Sequence, residues 1–339
     1  MIPTWFARHS TYEAFGRTAS ALLVTVVLAS GLAAQSCTAS GDLDVPTLTA
    51  IESAAHQFFL MSQRGDVAGL KTNSIPPVAG DFGAIEQAVI TNKEYLSEGQ
   101  ATVTASYLLD ASQAKGPLAR ADFYCGIYNS PDRLVFSIPN LPAGRYALVM
   151  QKVNGKDPIT LTVILQDLGG SWKLAGYYPR LDSMAGHDGQ WYLTKAREYK
   201  AKGQEHNAWY YYLTAWDLMA PVNFMSTPQL DKVADEMQTV RPSDLPSSST
   251  PLNLAANGRV FRVTEITAVP VENDFDLRVR YENPDAGNSG VAFKDNMAVS
   301  KAIVAKYPEF RDGFNAVVTR AYDTSGHDYG SVLPMTEIK

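Results

Sequence analysis

An α+β fold in three parts is predicted by three observations. Apolar residues recur at helical spacing from about 46 to 91, the period changes to two between about 101 and 178, and residues 189–221 read as two helices folded back on each other at Gly203. A chain of 339 residues, 45% hydrophobic and 19% charged, is long enough for two or three domains with a sizeable core. A net charge of −6, with no Lys/Arg run longer than a pair, argues against nucleic acid, polyanions and anionic lipid surfaces as partners.

The N-terminus carries an address. Arg8 and Arg17 precede the apolar run at 19–34, ASALLVTVVLASGLAA, and small and polar residues follow it; a positive flank, an apolar stretch and a small-residue exit make residues 1–36 a signal peptide. Diluted by Ser20, Thr25, Ser30 and Gly31, the run falls short of the roughly 20 residues that span a bilayer core. Three cuts fit. Ala34-Gln35-Ser36 ahead of Cys37 resembles a bacterial lipobox, which makes Cys37 a candidate lipidation site, with residues 37–45 as a flexible tail; that pattern favours Leu and a small residue where this chain has Ala34 and Gln35. An ordinary signal-peptidase cut after Ser36 or after Ala33 also has small residues at the required spacing. The second cysteine, Cys125, sits in a run that alternates like a strand, which favours a buried free thiol over a Cys37–Cys125 disulfide.

The first block, 46–181, opens with Ile51, Ala54, Ala55, Phe58 and Met61 on one helical face, with Thr47 or Thr49 placed to cap the helix and Gly65-Asp66 to end it. Pro76-Pro77 and Gly80-Asp81 break the chain before a short helix at 82–91. Strands follow, with Val103, Ala105, Tyr107 and Leu109 on one phase, then Phe123 to Ile127, Tyr146 to Met150, Ile159 to Leu165, and 171–178, turning at Asn154-Gly155 and Gly169-Gly170. The expected product is a helical layer on one curved antiparallel sheet. This element order, closed by the hairpin ending in SWKLAGYY, resembles the NTF2-like (cystatin-like cone) superfamily. The resemblance implies a pocketed ligand binder or interaction module, or in some members an isomerase or dehydratase using an Asp and a His inside the cone. The block offers only His56 and Asp122 for such a dyad, on a helix and at a strand start. Phe58, Tyr107, Tyr124, Tyr128, Trp172 and Tyr177 are the candidate ligand-pocket residues, against their commoner use in core and sheet packing.

The hairpin, with its surroundings at 186–240, repeats a spacing. Ala196, Tyr199, Gly203, Ala208, Tyr212 and Ala215, with Pro221 beyond, resemble one tetratricopeptide repeat; Tyr192 and Lys195 depart from that pattern. A single unit leaves a face to cover, and no second copy is present, so 228–240 is expected as a capping helix. Trp191, Trp209, Tyr210, Tyr211 and Trp216 then either pack on a neighbouring domain or form a partner-docking surface. His187 and His206 lack the i, i+4 spacing of a metal pair.

Residues 241–256, rich in Pro and Ser, read as a linker, and 257–335 as a small β-β-α-β-β domain. In it Arg278, Arg280, His327 and Asp328 are expected to share a surface only as solvated sheet-face charges. No phosphate loop, metal spacing or nucleophile elbow is present, so no cofactor, metal or catalytic residue is singled out. The sequence points to an exported cell-envelope protein, periplasmic or extracellular, with a non-catalytic binding or scaffold role through a protein partner or a small apolar ligand. Membrane attachment would run through Cys37 alone. The alternative is an acid–base enzyme of isomerase or dehydratase type, sited in the cone.

Overall fold

Helices and antiparallel sheets make the α+β class, as expected. The computed structural model describes residues 35–339 apart from Tyr128 and Lys156, so of the expected signal peptide at 1–36 all but Gln35 and Ser36 lies outside the described residues.

The stretch expected as a tail is built in. Strand β1 (Ser36–Ala39) pairs antiparallel with β2 (Gln100–Asp110), placing Cys37 opposite Leu109. Helix α1 (Val45–Gln63) follows at once, capped by Asp44, whose carboxylate accepts from the Thr47 N–H at 2.9 Å. The cap is therefore Asp44 and not Thr47 or Thr49, because Pro46 sets the first turn one residue after Asp44. Short helices α2 (Val67–Thr72), α3 (Pro76–Gly80), α4 (Gly83–Thr91) and α5 (Lys93–Ser97) complete the layer. Pro76-Pro77, read as a breaker, opens α3, since an N-terminal turn has no use for the missing N–H groups.

After β2 come β3 (Leu118–Tyr124), β4 (Val135–Leu141), β5 (Arg145–Asn154), β6 (Ile159–Asp167) and β7 (Trp172–Leu181). They do not form one sheet. The order β1-β2-β5-β6-β7 makes a five-stranded antiparallel sheet, while β3 and β4 leave it for a separate small sheet. Ala147, Val149 and Val153 of β5 face α1 with Ile51, Phe58 and Phe59, whereas Leu148 and Met150 face Phe123, Phe136 and Ile138 of the small sheet. A central strand covered on both sides is apolar throughout, and residues 146–150 are buried without a break. A disulfide joins Cys37 to Cys125, tying β1 of the large sheet to the end of β3 in the small one. That bond corrects the free-thiol reading of Cys125, and its other half is Cys37, the candidate lipidation site.

A small hairpin of β8 (Ser183–Met184) and β9 (His187–Asp188) leads into α6 (Gly189–Ala201) and α7 (Glu205–Met219), which fold back at Gly203 with φ +73°, a conformation that favours glycine. Ala196, Ala208 and Ala215 are fully buried, as close packing of two helices requires. The chain then returns to the first domain: β10 (Met225–Ser226) adds to β4, giving the small sheet its order β10-β4-β3. Helix α8 (Pro228–Gln238) is the expected cap. Arg197 holds its Glu236 through two bonds of 2.8 and 2.9 Å, and that guanidinium keeps the carboxyl below the usual carboxylate range.

The predicted linker is partly a strand. β11 (Leu252–Ala256) pairs with β12 (Arg259–Val271) and opens a five-stranded sheet in the order β11-β12-β13-β14-β15, with β13 (Asp274–Glu282), β14 (Ala316–Tyr322) and β15 (Asp328–Pro334). Helix α9 (Ser289–Lys306) links β13 to β14, the one parallel pair of this sheet, and the short α10 (Phe310–Gly313) closes the crossover. Under α9, Asn296 accepts from the Tyr281 hydroxyl at 2.7 Å and donates to Ser331 Oγ at 2.9 Å.

Hairpin and C-terminal sheet share one core. Phe275 lies 4.9 Å from Tyr192 and 5.0 Å from Tyr211 by ring centroid, and Phe314 packs on Phe275 and Tyr211. Tyr199 donates to Asp312 O at 2.5 Å and Tyr211 to Gly313 O at 2.6 Å. Gly313 is required there, since a Cβ would stand 2.6 Å from Asn207 Oδ1. The burial requirement of the lone hairpin is met within the chain.

Candidate functional site

The expected ligand-pocket residues do not converge. Phe58 and Tyr177 are core residues between α1 and the large sheet, and Trp172 packs against the edge of the same cluster. Tyr107 lies on the opposite face, 5.3 Å from Phe136, and Tyr124 ends β3 with 56% of its surface exposed. Tyr128 is outside the described residues. The alternation that selected these aromatics cannot tell which of two covered faces a strand residue meets.

His56 and Asp122 are not brought together either. His56 is exposed on α1, whereas the Asp122 carboxylate accepts from Ser137 Oγ at 2.6 Å and Arg120 Nε at 2.7 Å, across the large sheet from α1. The helix-side interior where acid–base chemistry was expected is filled by Phe58, Phe59, Val149 and Val163.

The docking candidates of the hairpin are inside. Trp209, Tyr210 and Tyr211 are 8%, 3% and 5% exposed, and Trp191 and Trp216 are half-buried against the same core. Their apolar stripe marks an internal joint. His187 stacks on Trp191 with ring centroids 3.7 Å apart. His206 places each ring nitrogen 2.9 Å from a carboxylate oxygen, Nδ1 from Glu309 and Nε2 from Asp244. With Tyr307 donating to Asp244 at 2.7 Å, this cluster pins the stretch before β11 to the end of α9.

What the structure does gather is charge on the face of the C-terminal sheet turned away from α9. In register, Phe275, Leu277, Val279 and Tyr281 point into the core, so Arg278, Arg280 and Glu282 point out. Glu265 takes Arg278 at 2.6 Å and Arg280 at 3.7 Å; Asp328 takes Arg320 Nε at 2.8 Å and Arg280 at 3.7 Å; Arg262 meets Glu282 at 2.9 Å. The Arg280 guanidinium also lies 4.8 Å over the Tyr322 ring. Four guanidinium groups thus face three carboxylates, leaving one positive charge in excess.

No family model, curated protein or solved structure matches the chain. The lattice is read from its own chemistry. Pairs exposed by a third to a half contribute about 0–1 kcal/mol each, so five of them do little for stability. They hold planar guanidinium donors in fixed places on the sheet face.

Of the residues expected to share this surface, Arg278, Arg280 and Asp328 do. His327 does not, because its Nδ1 lies 2.8 Å from Asp323 in the turn, and that hydrogen bond holds the Asp323 carboxyl below the usual range. Sequence reading missed Glu265 and Arg320. The alternation of 316–322 places Arg320 on the polar phase, but a bulge between Val263 and Glu265 shifts the phase of β12 and conceals Glu265.

Asp276 is the exception beside this lattice. It is 2% exposed with Oδ1 lacking a hydrogen-bond partner, and burial, reinforced by Asp274, raises its carboxyl above the usual range despite the Ala316 N–H. A carboxyl raised in the folded state contributes stability that is full below its unfolded value and is lost as pH rises through the folded value. Asp276→Asn is therefore expected to stabilise the protein at pH 7 and to have no such effect at pH 3, as measured by urea unfolding at both. Equal effects at the two pH values would show that Asp276 titrates normally.

A cleft of about 690 Å³ lies between α5 and the β12–β13 turn, with Glu94, Glu98, Asp157 and Glu272 among its walls. Among the described residues no group of three or more His, Cys, Asp or Glu could hold a metal ion.

Proposed function

We propose that the chain is an exported cell-envelope protein with a non-catalytic scaffold role, docking a protein partner on the arginine–carboxylate face of its C-terminal sheet. The observation that carries this reading is the lattice of Arg262, Arg278, Arg280 and Arg320 with Glu265, Glu282 and Asp328 on one sheet face. The disulfide supports export, since thiols are held reduced in the cytoplasm and oxidised outside it. Helices on one side of an antiparallel sheet support an NTF2-like first domain, and the small residues between α6 and α7 support a tetratricopeptide-like unit, here serving as a joint. A small apolar ligand has less in its favour, because the aromatics meant to receive it lie on separate faces. The acid–base alternative lacks its His56/Asp122 pairing.

Affinity capture from envelope extracts with the wild type and an Arg280→Glu, Arg320→Glu double variant tests the reading. A partner recovered at least tenfold less by the variant, with unchanged thermal unfolding, is the expected result. Equal recovery would remove the docking face.

A further inference from the structure

We infer that export processing cleaves the Ala33–Ala34 bond, so that the mature chain begins at Ala34 and Cys37 carries no lipid. The inference rests on the export reading and goes beyond it by choosing among three cuts that the sequence leaves open: before Cys37 with lipidation, after Ser36, and after Ala33.

Lipidation before Cys37 requires a thioether at Sγ. That sulfur has one free valence, and the bond to Cys125 uses it. The disulfide forms when the two thiols give up two protons and two electrons to an external disulfide, which is reduced to a dithiol; an alkylated Cys37 has no thiol to give. Cys37 also sits inside a strand, opposite Leu109, and not in a tether.

A cut after Ser36 would leave the disulfide possible but would strip the fold of two residues it uses. Gln35 Oε1 accepts the Asp122 N–H at 2.6 Å, joining the start of the chain to β3 across 87 positions. Ser36 pairs with Asp110 as the first rung of the β1–β2 ladder. Starting at Cys37 would leave the Asp122 N–H without that acceptor and shorten a four-residue strand. The remaining cut has Gly31 and Ala33 at the third and first positions before the bond, the small-residue spacing that signal peptidase requires, and keeps Gln35 and Ser36.

The full chain, produced in a bacterium with an intact envelope, fractionated and measured by intact mass with and without reduction and thiol alkylation, decides this. The expected species is residues 34–339, taking up two alkyl groups only after reduction, and Cys37→Ser is expected to be cut at the same bond. A chain beginning at Cys37, acylated or not, or a Cys37→Ser precursor that stays uncut while the wild type is processed, would overturn the inference and leave export standing. An uncut chain confined to the cytoplasm would overturn export and the cut with it.

Discussion

Replacing Cys37 or Cys125 with serine is expected to lower the unfolding free energy by about 4–5 kcal/mol, the chain-entropy value for a loop approaching 100 residues. The bond closes a separation of 88 positions, so it removes much of the freedom of the unfolded first domain. Native geometry adds a second reason. Cys37 is in the short edge strand β1, whose neighbours are β2 and the end of β3, and Cys125 follows β3 in the other sheet. Without the bond, β1 keeps one ladder of four residues and the Gln35 contact, too little to hold a short edge strand in place. A shift in the melting temperature on the order of 7 °C corresponds to that loss for a chain of this size. Thermal unfolding of the single variants, the double variant and the reduced wild type should coincide, since all four lack the same bond. A reduced wild type as stable as the oxidised one would show that the staple is redundant.

Legibility differed between the two halves of the fold for physical reasons. The hairpin and α9 were legible because their apolar faces recur every three to four residues and each is ended by a clear signal, Gly203 and Pro308. Strands β13 to β15 were legible because one face is in the core and the other mostly in water, which produces alternation, while the bulge in β12 breaks its phase. The first domain was harder. Its large sheet is covered on both sides, so alternation carries no information about which face is which, and the separation of β3 and β4 into a second layer is a long-range fact. β4 itself went unread because Pro139 speaks against a strand. It is tolerated because β10 pairs only with Val135 and Phe136, leaving Pro139 on an open edge. The disulfide was underweighted because residues 37–45 have a tail's composition, and β1 is held by its partners more than by its own propensity.

The candidate site was less legible than the fold. Aromatic residues signal packing and binding equally well, and in residues 189–221 the sequence cannot distinguish a joint from a docking surface. Burial decides it. Trp209, Tyr210 and Tyr211 are in a core that includes Phe275, Phe310 and Phe314, so the hairpin's role is to fix where the C-terminal sheet stands. Arg278 and Arg280 were visible as outward charges. Their partners depended on register, on a bulge, and on which edge β15 occupies.

If the hairpin is the joint, Tyr211 is its most consequential residue, and Tyr211→Ala is expected to cost about 3–5 kcal/mol, the range for removing a large aromatic from a core. Its ring meets Tyr192, Tyr199, Phe275 and Phe314, which belong to α6, the start of β13 and the end of the crossover. Its hydroxyl donates to Gly313 O in a place without solvent, and burial pushes that hydroxyl's ionisation far above its ordinary value, so it stays a donor at any working pH. Tyr211→Phe keeps the ring and orphans one buried carbonyl, at a cost of about 1–3 kcal/mol. The two variants separate packing from the hydrogen bond. Hydrogen exchange locates the damage: in Tyr211→Ala, protection should fall in α6, α7, β13 and residues 310–315, while β5 and β6, in a core that Tyr211 does not touch, keep theirs. Loss spread evenly over both cores would mean that the two halves unfold as one unit and that the hairpin is not the element joining them. Under the proposed function the same variant should also weaken partner capture without altering Arg280 or Arg320, because a docking face is useful only while its sheet is held in position.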